Sequence, residues 1–157
     1  SQNLRRHIIC RAGWMMGAGP SKDKKFIQKL MKQIKDGKTE IYVVNDKMGT
    51  PTYTFDFARN VSLLFEREYW GLYNMVCNGV TQRLEVAQEL IRILGKEDKI
   101  KIKPVSSEFF SKEYFAKRPK SERLISKKLQ IQDCYIMRDW RVCLREYLDN
   151  YYKDYLV

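Results

Sequence analysis

The segment "EIYVVNDKMGTPTYTFDFA", residues 40–58, contains the change from strand to loop to helix on which the fold of this chain depends. Its first five residues form a short apolar run, which is typical of a buried strand. Glycine, proline and three threonines follow, and they predict a loop. Thr54 is then placed to cap a helix. The residues of that helix expected to face inward are Phe57, Ala58, Val61, Leu64 and Phe65.

The same alternation of strand and helix repeats along the chain. Strand-like runs occur in "HIICRAGW", "GLYNMVC" and "KIKIKPV", and helical stripes occur in "KFIQKLMKQIKDG" and after possible caps at Thr81 and Asp139. This order predicts an α/β fold with parallel strands. Ligands of such folds gather beyond the carboxyl ends of the strands, where the quoted loop lies. We therefore expect the loop to form one wall of a ligand cleft, with an ordinary β-turn as the alternative.

A length of 157 residues suits one domain with a real core or a part of something larger, and 44% of the residues are hydrophobic. No apolar run approaches the roughly 20 residues that a membrane-spanning helix needs, so we expect a soluble, cytoplasmic protein without a membrane partner. The net charge of +11 favours an anionic partner. The lysines are spread over several segments, which favours the phosphates of a small ligand over a polyanion surface.

Several functional motifs are missing from the sequence. "GAGP", residues 17–20, lacks the third glycine of a dinucleotide fingerprint, and there is no P-loop, GxSxG or HExxH. The four cysteines have no CxxC spacing and His7 is the single histidine, so we expect free core cysteines and no protein metal site.

Six segments that follow one another in order carry a more specific resemblance. They are "RAGWMMGAGP", "KFIQKLMKQIKDGK", "VVNDKMGTPTYTFDFA", "GLYNMVCNGVTQRLEVAQELIRILG", "AKRPKSERLISKKL" and "DWRVCLREYL". Together they resemble the C-terminal part of the dTDP-4-dehydrorhamnose reductase family, which belongs to the extended short-chain dehydrogenases. The run D-x-x-G-x-P-T-Y-T and the later R-P at Arg118 and Pro119 are the most specific of these features. The resemblance implies the C-terminal portion of a Rossmann-like α/β fold, with parallel strands, packing helices and a small substrate-binding lobe.

The resemblance also implies a function. Residues 1–157 would be one unit, the nucleotide-sugar-binding part of an NAD(P)H-dependent reductase of dTDP-4-keto-6-deoxysugars. The family's glycine-rich fingerprint and catalytic Tyr-x-x-x-Lys would belong to an N-terminal NAD(P)-binding half that these residues do not include, since no tyrosine here has lysine four residues later. We therefore expect no catalytic residue in this chain and no activity from it alone. The resemblance implies that NADPH or NADH binds mainly to the other half, and it leaves open an Mg²⁺ ion that cannot be located in this sequence. It is also compatible with a homodimer.

The family's cofactor and sugar positions can be carried over residue by residue. Arg11, Ala12 and Gly13 match the segment beside the nicotinamide, where small residues would let the cofactor ring approach. Trp14 would cover the sugar, and ordinary core packing is the alternative for this residue.

The family's nucleotide positions follow in the same way. Lys25 and Phe26 open a helix that meets the nucleotide in relatives, although Asn-Phe is the usual pair there. Arg118 matches an arginine that meets the diphosphate. The run that begins with Arg118, "RPKSE", departs from the family's usual R-P-x-N-S at Ser121 and Glu122. The residues expected to line the nucleotide side through close approach and hydroxyl donation are Gly49, Thr50, Pro51 and Thr52.

Two other functions stay open at this point. One is a non-catalytic, regulatory relative of the same superfamily, which the upstream sequence would distinguish by loss of Tyr-x-x-x-Lys. The other is a basic nucleic-acid-binding domain, but the chain lacks the interleaved aromatic and basic residues of an RNA-binding sheet and has no recognition-helix signature. We therefore expect no specific nucleic-acid partner.

Overall fold

The computed structural model describes residues 4–112 and 119–156, and strands and helices alternate through these ranges. The strands are β1 (Ile8–Ala12), β2 (Trp14–Met16), β3 (Glu40–Val44), β4 (Met48–Gly49), β5 (Pro51–Tyr53), β6 (Gly71–Met75), β7 (Thr81–Gln82), β8 (Lys101–Val105) and β9 (Ser121–Glu122). The helices are α1 (Gly19–Lys22), α2 (Phe26–Lys35), α3 (Thr54–Glu66), α4 (Arg83–Ile93), α5 (Lys127–Ile131) and α6 (Trp140–Tyr151), with a 3₁₀ turn at Ser107–Phe110.

Three pairs of parallel strands form the framework. Strand β1 pairs with β6, β2 with β5, and β3 with β8, each over its full length. The short strand β4 lies between β7, to which it is antiparallel, and β9, to which it is parallel. The predicted α/β fold with parallel strands is therefore confirmed.

The long elements form where the apolar pattern has the right period. In β3, Ile41 and Val43 are buried while Glu40 and Tyr42 are exposed, which is the alternation of a strand with one covered face. In α2 the buried residues recur at helical spacing, so one stripe of the helix faces the core. These residues are Ile27, Leu30, Met31 and Ile34.

Two hydrophobic clusters hold the elements together. The larger one contains the apolar stripes of α2, α4 and α6, and its bulkiest fully buried side chains include Trp140 and Tyr147. The smaller one lies beneath α3, β6 and α5 and contains Leu64, Tyr73 and Leu129. Within the described ranges, no helix combines the length and the apolar character needed to cross a bilayer.

The helix starts differ from two of the three predicted caps. Asp139 caps α6 as predicted, because its side-chain oxygen accepts a hydrogen bond of 2.9 Å from the backbone N–H of Arg141. Thr54 is instead the first residue of α3, and its side chain makes no capping hydrogen bond. Thr81 lies in β7, and its hydroxyl donates to the carboxylate of Glu85 at 2.6 Å.

Helix α3 buries only part of the face that the apolar pattern predicts: Leu64 is fully buried, and Phe57 and Val61 pack against the smaller cluster. Ala58 and Phe65 are exposed, whereas Asp56 and Asn60 are fully buried. The reason is that both polar side chains have partners: Asp56 binds Arg138, and the Asn60 amide donates to the carbonyl of Cys134 at 2.9 Å. Satisfied polar groups can be buried at little cost.

Only part of the segment predicted as a loop or a β-turn is irregular. Residues 45–47 and Thr50 lie outside the strands, whereas Met48–Gly49 and Pro51–Tyr53 form β4 and β5, and β5 runs directly into α3. Glycine and proline hide these strands from sequence reasoning, since both residues are depleted in strands.

Candidate functional site

Strand β2 and the β4–β5 segment lie side by side and bring most of the predicted site residues together. Trp14 is opposite Pro51 and Met15 is opposite Thr52. The backbone N–H of Trp14 donates to the carbonyl of Thr50 at 2.9 Å, and the N–H of Gly13 donates to the hydroxyl of Thr52 at 2.8 Å. Two segments that are separate in the sequence thus form one rigid unit.

Both glycines of this unit are required by contacts within the protein. A Cβ at Gly13 would lie 1.9 Å from the carbonyl oxygen of Thr50. A Cβ at Gly49 would lie 2.3 Å from two indole carbons of Trp14. From the sequence, these glycines are expected to make room for a ligand or cofactor, but in the structure the space is occupied by Thr50 and Trp14.

The threonine hydroxyls are engaged in the same scaffold. The Thr50 hydroxyl donates to the carbonyl of Leu124 and accepts from its N–H, both at 3.2 Å. The Thr52 hydroxyl donates to the carbonyl of Met75 at 3.2 Å, and both threonines are buried. Their donation to a ligand stays a prediction, and this arrangement does not favour it. Pro51 is also buried, and its carbonyl accepts from the N–H of Cys77 at 2.9 Å.

Trp14 is half-buried and belongs to neither hydrophobic cluster. Its indole N–H donates to a carboxylate oxygen of Glu122 at 2.7 Å. The ring also packs against the backbone of Gly49. Ordinary core packing therefore does not describe Trp14, because its ring is fixed by directed contacts at the edge of the core.

Arg83 completes the surroundings of Trp14. Its guanidinium carbon lies 4.4 Å from the centroid of the Trp14 ring and 4.9 Å from that of Phe26. Such distances are those of cation–π contacts. Arg83 is not among the site residues predicted from the sequence, although the sequence contains one signal for it. It is the first residue of α4, where a positive charge opposes the helix dipole.

The remaining predicted residues make none of the contacts just described or lie outside the described ranges. Lys25 is exposed and precedes α2, and its backbone N–H donates to a carboxylate oxygen of Asp23 at 2.8 Å. Arg11 is exposed near the carboxyl end of β1, and Ala12 is half-buried beside it. Arg118 lies outside the described residues.

A partly buried ion-pair network joins α3, which follows β5 directly, to α6. The Arg138 guanidinium contacts the carboxylates of Asp56, at 2.7 Å, and of Glu146. Burial opposes the ionisation of Asp56, but hydrogen bonds from the Arg138 side chain and backbone and from the Cys143 thiol outweigh it and lower the pKa of this carboxyl. Burial and the nearby Glu146 carboxylate raise the pKa of Tyr53, at the end of β5, to about 12. Tyr53 is therefore neutral at physiological pH.

Over residues 1–153 the sequence matches the profile of the RmlD substrate binding domain. The chain belongs to this family. Membership agrees with the resemblance found in the sequence.

Individual relatives give the same picture and show how much of them the chain spans. The chain is 33% identical over 143 residues to the spore coat polysaccharide biosynthesis protein SpsK of Bacillus subtilis strain 168, and this covers 90% of the chain and 47% of that protein. The crystal structure of dTDP-4-dehydrorhamnose reductase from Yersinia enterocolitica superposes with a TM-score of 0.83 at 32% identity, covering 92% of this chain and 50% of that one.

A third relative shows the fold alone because its identity is lower. It is the dTDP-4-dehydrorhamnose reductase of Bacillus anthracis str. Ames in complex with NADP, with a TM-score of 0.80, 24% identity, and coverage of 91% of this chain and 48% of that one. The chain thus spans about half the length of the relatives it matches.

Proposed function

We propose that this chain is the nucleotide-sugar-binding part of an NAD(P)H-dependent reductase of dTDP-4-keto-6-deoxysugars. One observation carries the proposal beyond family membership: Trp14 is held rigidly by Glu122, Gly49 and Arg83 while remaining half-buried and outside the core. A fixed, partly open aromatic ring is the kind of surface against which a sugar ring packs.

The other roles follow from position and charge. Trp14 covers the sugar. Phe26 lies near Trp14, because the Arg83 guanidinium contacts both rings. Lys25 is an exposed cation at the start of α2, and together with Arg118 it would meet the two negative charges of the diphosphate. Thr50 and Thr52 shape the site as scaffold, because their hydroxyls already have protein partners.

A nicotinamide-nucleotide-binding half would cover the outer face of the β1–β6 pair. On this face Ile9 is 45% exposed and Leu72, opposite it in register, is 42% exposed. Parallel strands are normally covered on both faces, so two apolar residues exposed here indicate a neighbouring layer.

The described residues fit only the edge of such a cofactor. Exposed Arg11 and half-buried Ala12 lie near the carboxyl end of β1, whereas the space beside Gly13 is filled by Thr50. The cofactor, when bound, supplies the hydride that reduces the sugar ketone. Within residues 4–112 and 119–156 no group of three or more His, Cys, Asp or Glu could hold a metal ion, and we assign no residue to Mg²⁺.

A pair of tryptophan variants tests the proposal in the native protein that contains this chain. Trp14→Leu should weaken binding of a dTDP-sugar about tenfold, because a lost aromatic contact is worth on the order of 1 kcal/mol. Trp70→Leu is the matched control, since Trp70 is also half-buried but contacts Phe65, whose ring centroid is 5.8 Å away. Equal affinities of wild type and a folded Trp14→Leu variant, measured by calorimetry, would remove Trp14 from the site.

A further inference from the structure

Arg83 joins three elements at the candidate site. It is the first residue of α4, Phe26 is the first residue of α2, and Trp14 is the first residue of β2. One guanidinium lies over both rings, 4.4 Å from the centroid of Trp14 and 4.9 Å from that of Phe26. The relative orientation of the two rings therefore depends on this side chain.

A second arginine–tryptophan contact in the chain shows that the same chemistry can serve the core instead. The guanidinium carbon of Arg141 lies 4.3 Å from the ring centroid of Trp140. Trp140, however, is only 1% exposed and belongs to the larger hydrophobic cluster. Trp14 is half-buried and outside both clusters, so holding its ring contributes to a surface rather than to the interior.

The contacts on Trp14 restrain different parts of the ring. Glu122 fixes the indole N–H edge at 2.7 Å, and the backbone of Gly49 packs against the ring carbons. Arg83 lies over the face of the ring. A guanidinium is planar and stacks on aromatic faces, whereas a lysine ammonium is a compact point charge without that plane.

We infer that Arg83 is a positioning residue that holds the Trp14 indole in the orientation in which it meets the sugar of a nucleoside-diphosphate sugar. This inference rests on the proposed function. Because Arg83 acts through Trp14, its substitution should weaken the binding contribution of the sugar and have much less effect on that of the diphosphate. That separates it from an arginine that contacts phosphate directly.

A ligand-free measurement tests the contact itself. Fluorotryptophan incorporation gives one ¹⁹F resonance for each of Trp14, Trp70 and Trp140, assigned with single Trp→Phe variants. Arg83→Met should move or broaden the Trp14 resonance alone, and the matched Arg141→Met should move the Trp140 resonance alone. Unchanged Trp70 and Trp140 resonances report that Arg83→Met is folded. An unchanged Trp14 resonance in Arg83→Met would overturn the inference, whatever the protein binds.

A ligand titration tests the role. In the native protein that contains this chain, Arg83→Met should weaken dTDP-glucose binding about tenfold and dTDP binding by less than about twofold. Arg83→Lys should recover part of the loss, and Arg141→Met should bind both ligands as wild type does. Equal losses for both ligands would overturn the positioning role and indicate direct phosphate contact. If Arg83→Met does not fold, the losses of dTDP-glucose and dTDP binding are compared in Arg83→Lys instead. A wild-type protein that binds neither ligand contradicts the proposed function itself.

Discussion

Gly49 and Trp14 occupy adjoining space although they come from different strands. The indole lies where the side chain of residue 49 would be, with two ring carbons 2.3 Å from an ideal Cβ. Each residue alone suggested a site position in the sequence. That the glycine serves the tryptophan could not be predicted, because strand β4 is two residues long and has no periodic pattern of its own.

Gly49→Ala should therefore displace Trp14. We expect a loss of about 1–3 kcal/mol in the free energy of unfolding, as for other overpacked sites, together with a change in tryptophan fluorescence. Gly37→Ala is the comparison, since nothing lies within 4 Å of where the alanine Cβ would be. Only the positive φ of residue 37, 79°, costs energy there. Gly49→Ala without a fluorescence change would show that Trp14 does not depend on residue 49.

Arg138 links α3 to α6 through two carboxylates whose pKa values are lowered from 3.8 for Asp56 and 4.5 for Glu146. A lowered folded-state pKa contributes stability that is present above the ordinary pKa and is lost as the pH falls through the folded pKa. The free energy of unfolding should thus fall as the pH drops below about 4. Arg138→Met should flatten this fall.

At neutral pH, Arg138→Met should destabilise the chain by about 3 kcal/mol, because Asp56 is fully buried and would lose its partner. Lys103→Met provides the control. It removes an exposed ion pair with Glu40 at 3.5 Å and should cost less than about 1 kcal/mol. Urea titrations of both variants between acid and neutral pH give the comparison, and equal effects would contradict the account.

The long elements follow from the sequence, whereas the site-forming ones do not. Apolar runs and periodicity predict β1, β3, β6, β8, α2 and α6, because in each of these elements one side is less exposed than the other. Strands β2, β4, β5, β7 and β9 have two or three residues each. They are fixed by tertiary contacts such as the bond from Gly13 to Thr52, and local patterns do not encode such contacts.

The helix caps predicted from the sequence agree with the structure at Asp139 but not at Thr54. Asp139→Ala should lower the free energy of unfolding by about 1 kcal/mol, since its side chain accepts the hydrogen bond that starts α6. Thr54→Ala should cost only about 0.5 kcal/mol, because Thr54 makes no capping bond to α3. Thermal unfolding of the two variants measures the difference, and a larger loss for Thr54→Ala would reverse the assignment of the caps.

The net charge of the chain, +11, affects its binding to any polyanion. We expect weak, sequence-indifferent binding of DNA or RNA that falls steeply as salt rises, because such binding depends on counterion release. Fluorescence anisotropy with two unrelated oligonucleotides across a salt series tests this. A submicromolar, sequence-selective complex at physiological salt would favour a nucleic-acid-binding function instead.

Binding of a sugar nucleotide at Trp14 can be mapped by NMR on this chain. The ¹H–¹⁵N spectrum contains three indole N–H signals, one for each tryptophan. On titration with dTDP-glucose, the Trp14 indole signal should shift most, accompanied by the backbone signals of Gly49 and Phe26, while the Trp140 indole stays in place. Shifts confined to another surface, such as the one between α4 and α6 that includes Arg92 and Arg145, or no shift of Trp14 at millimolar ligand, would show that the sugar nucleotide does not bind at Trp14.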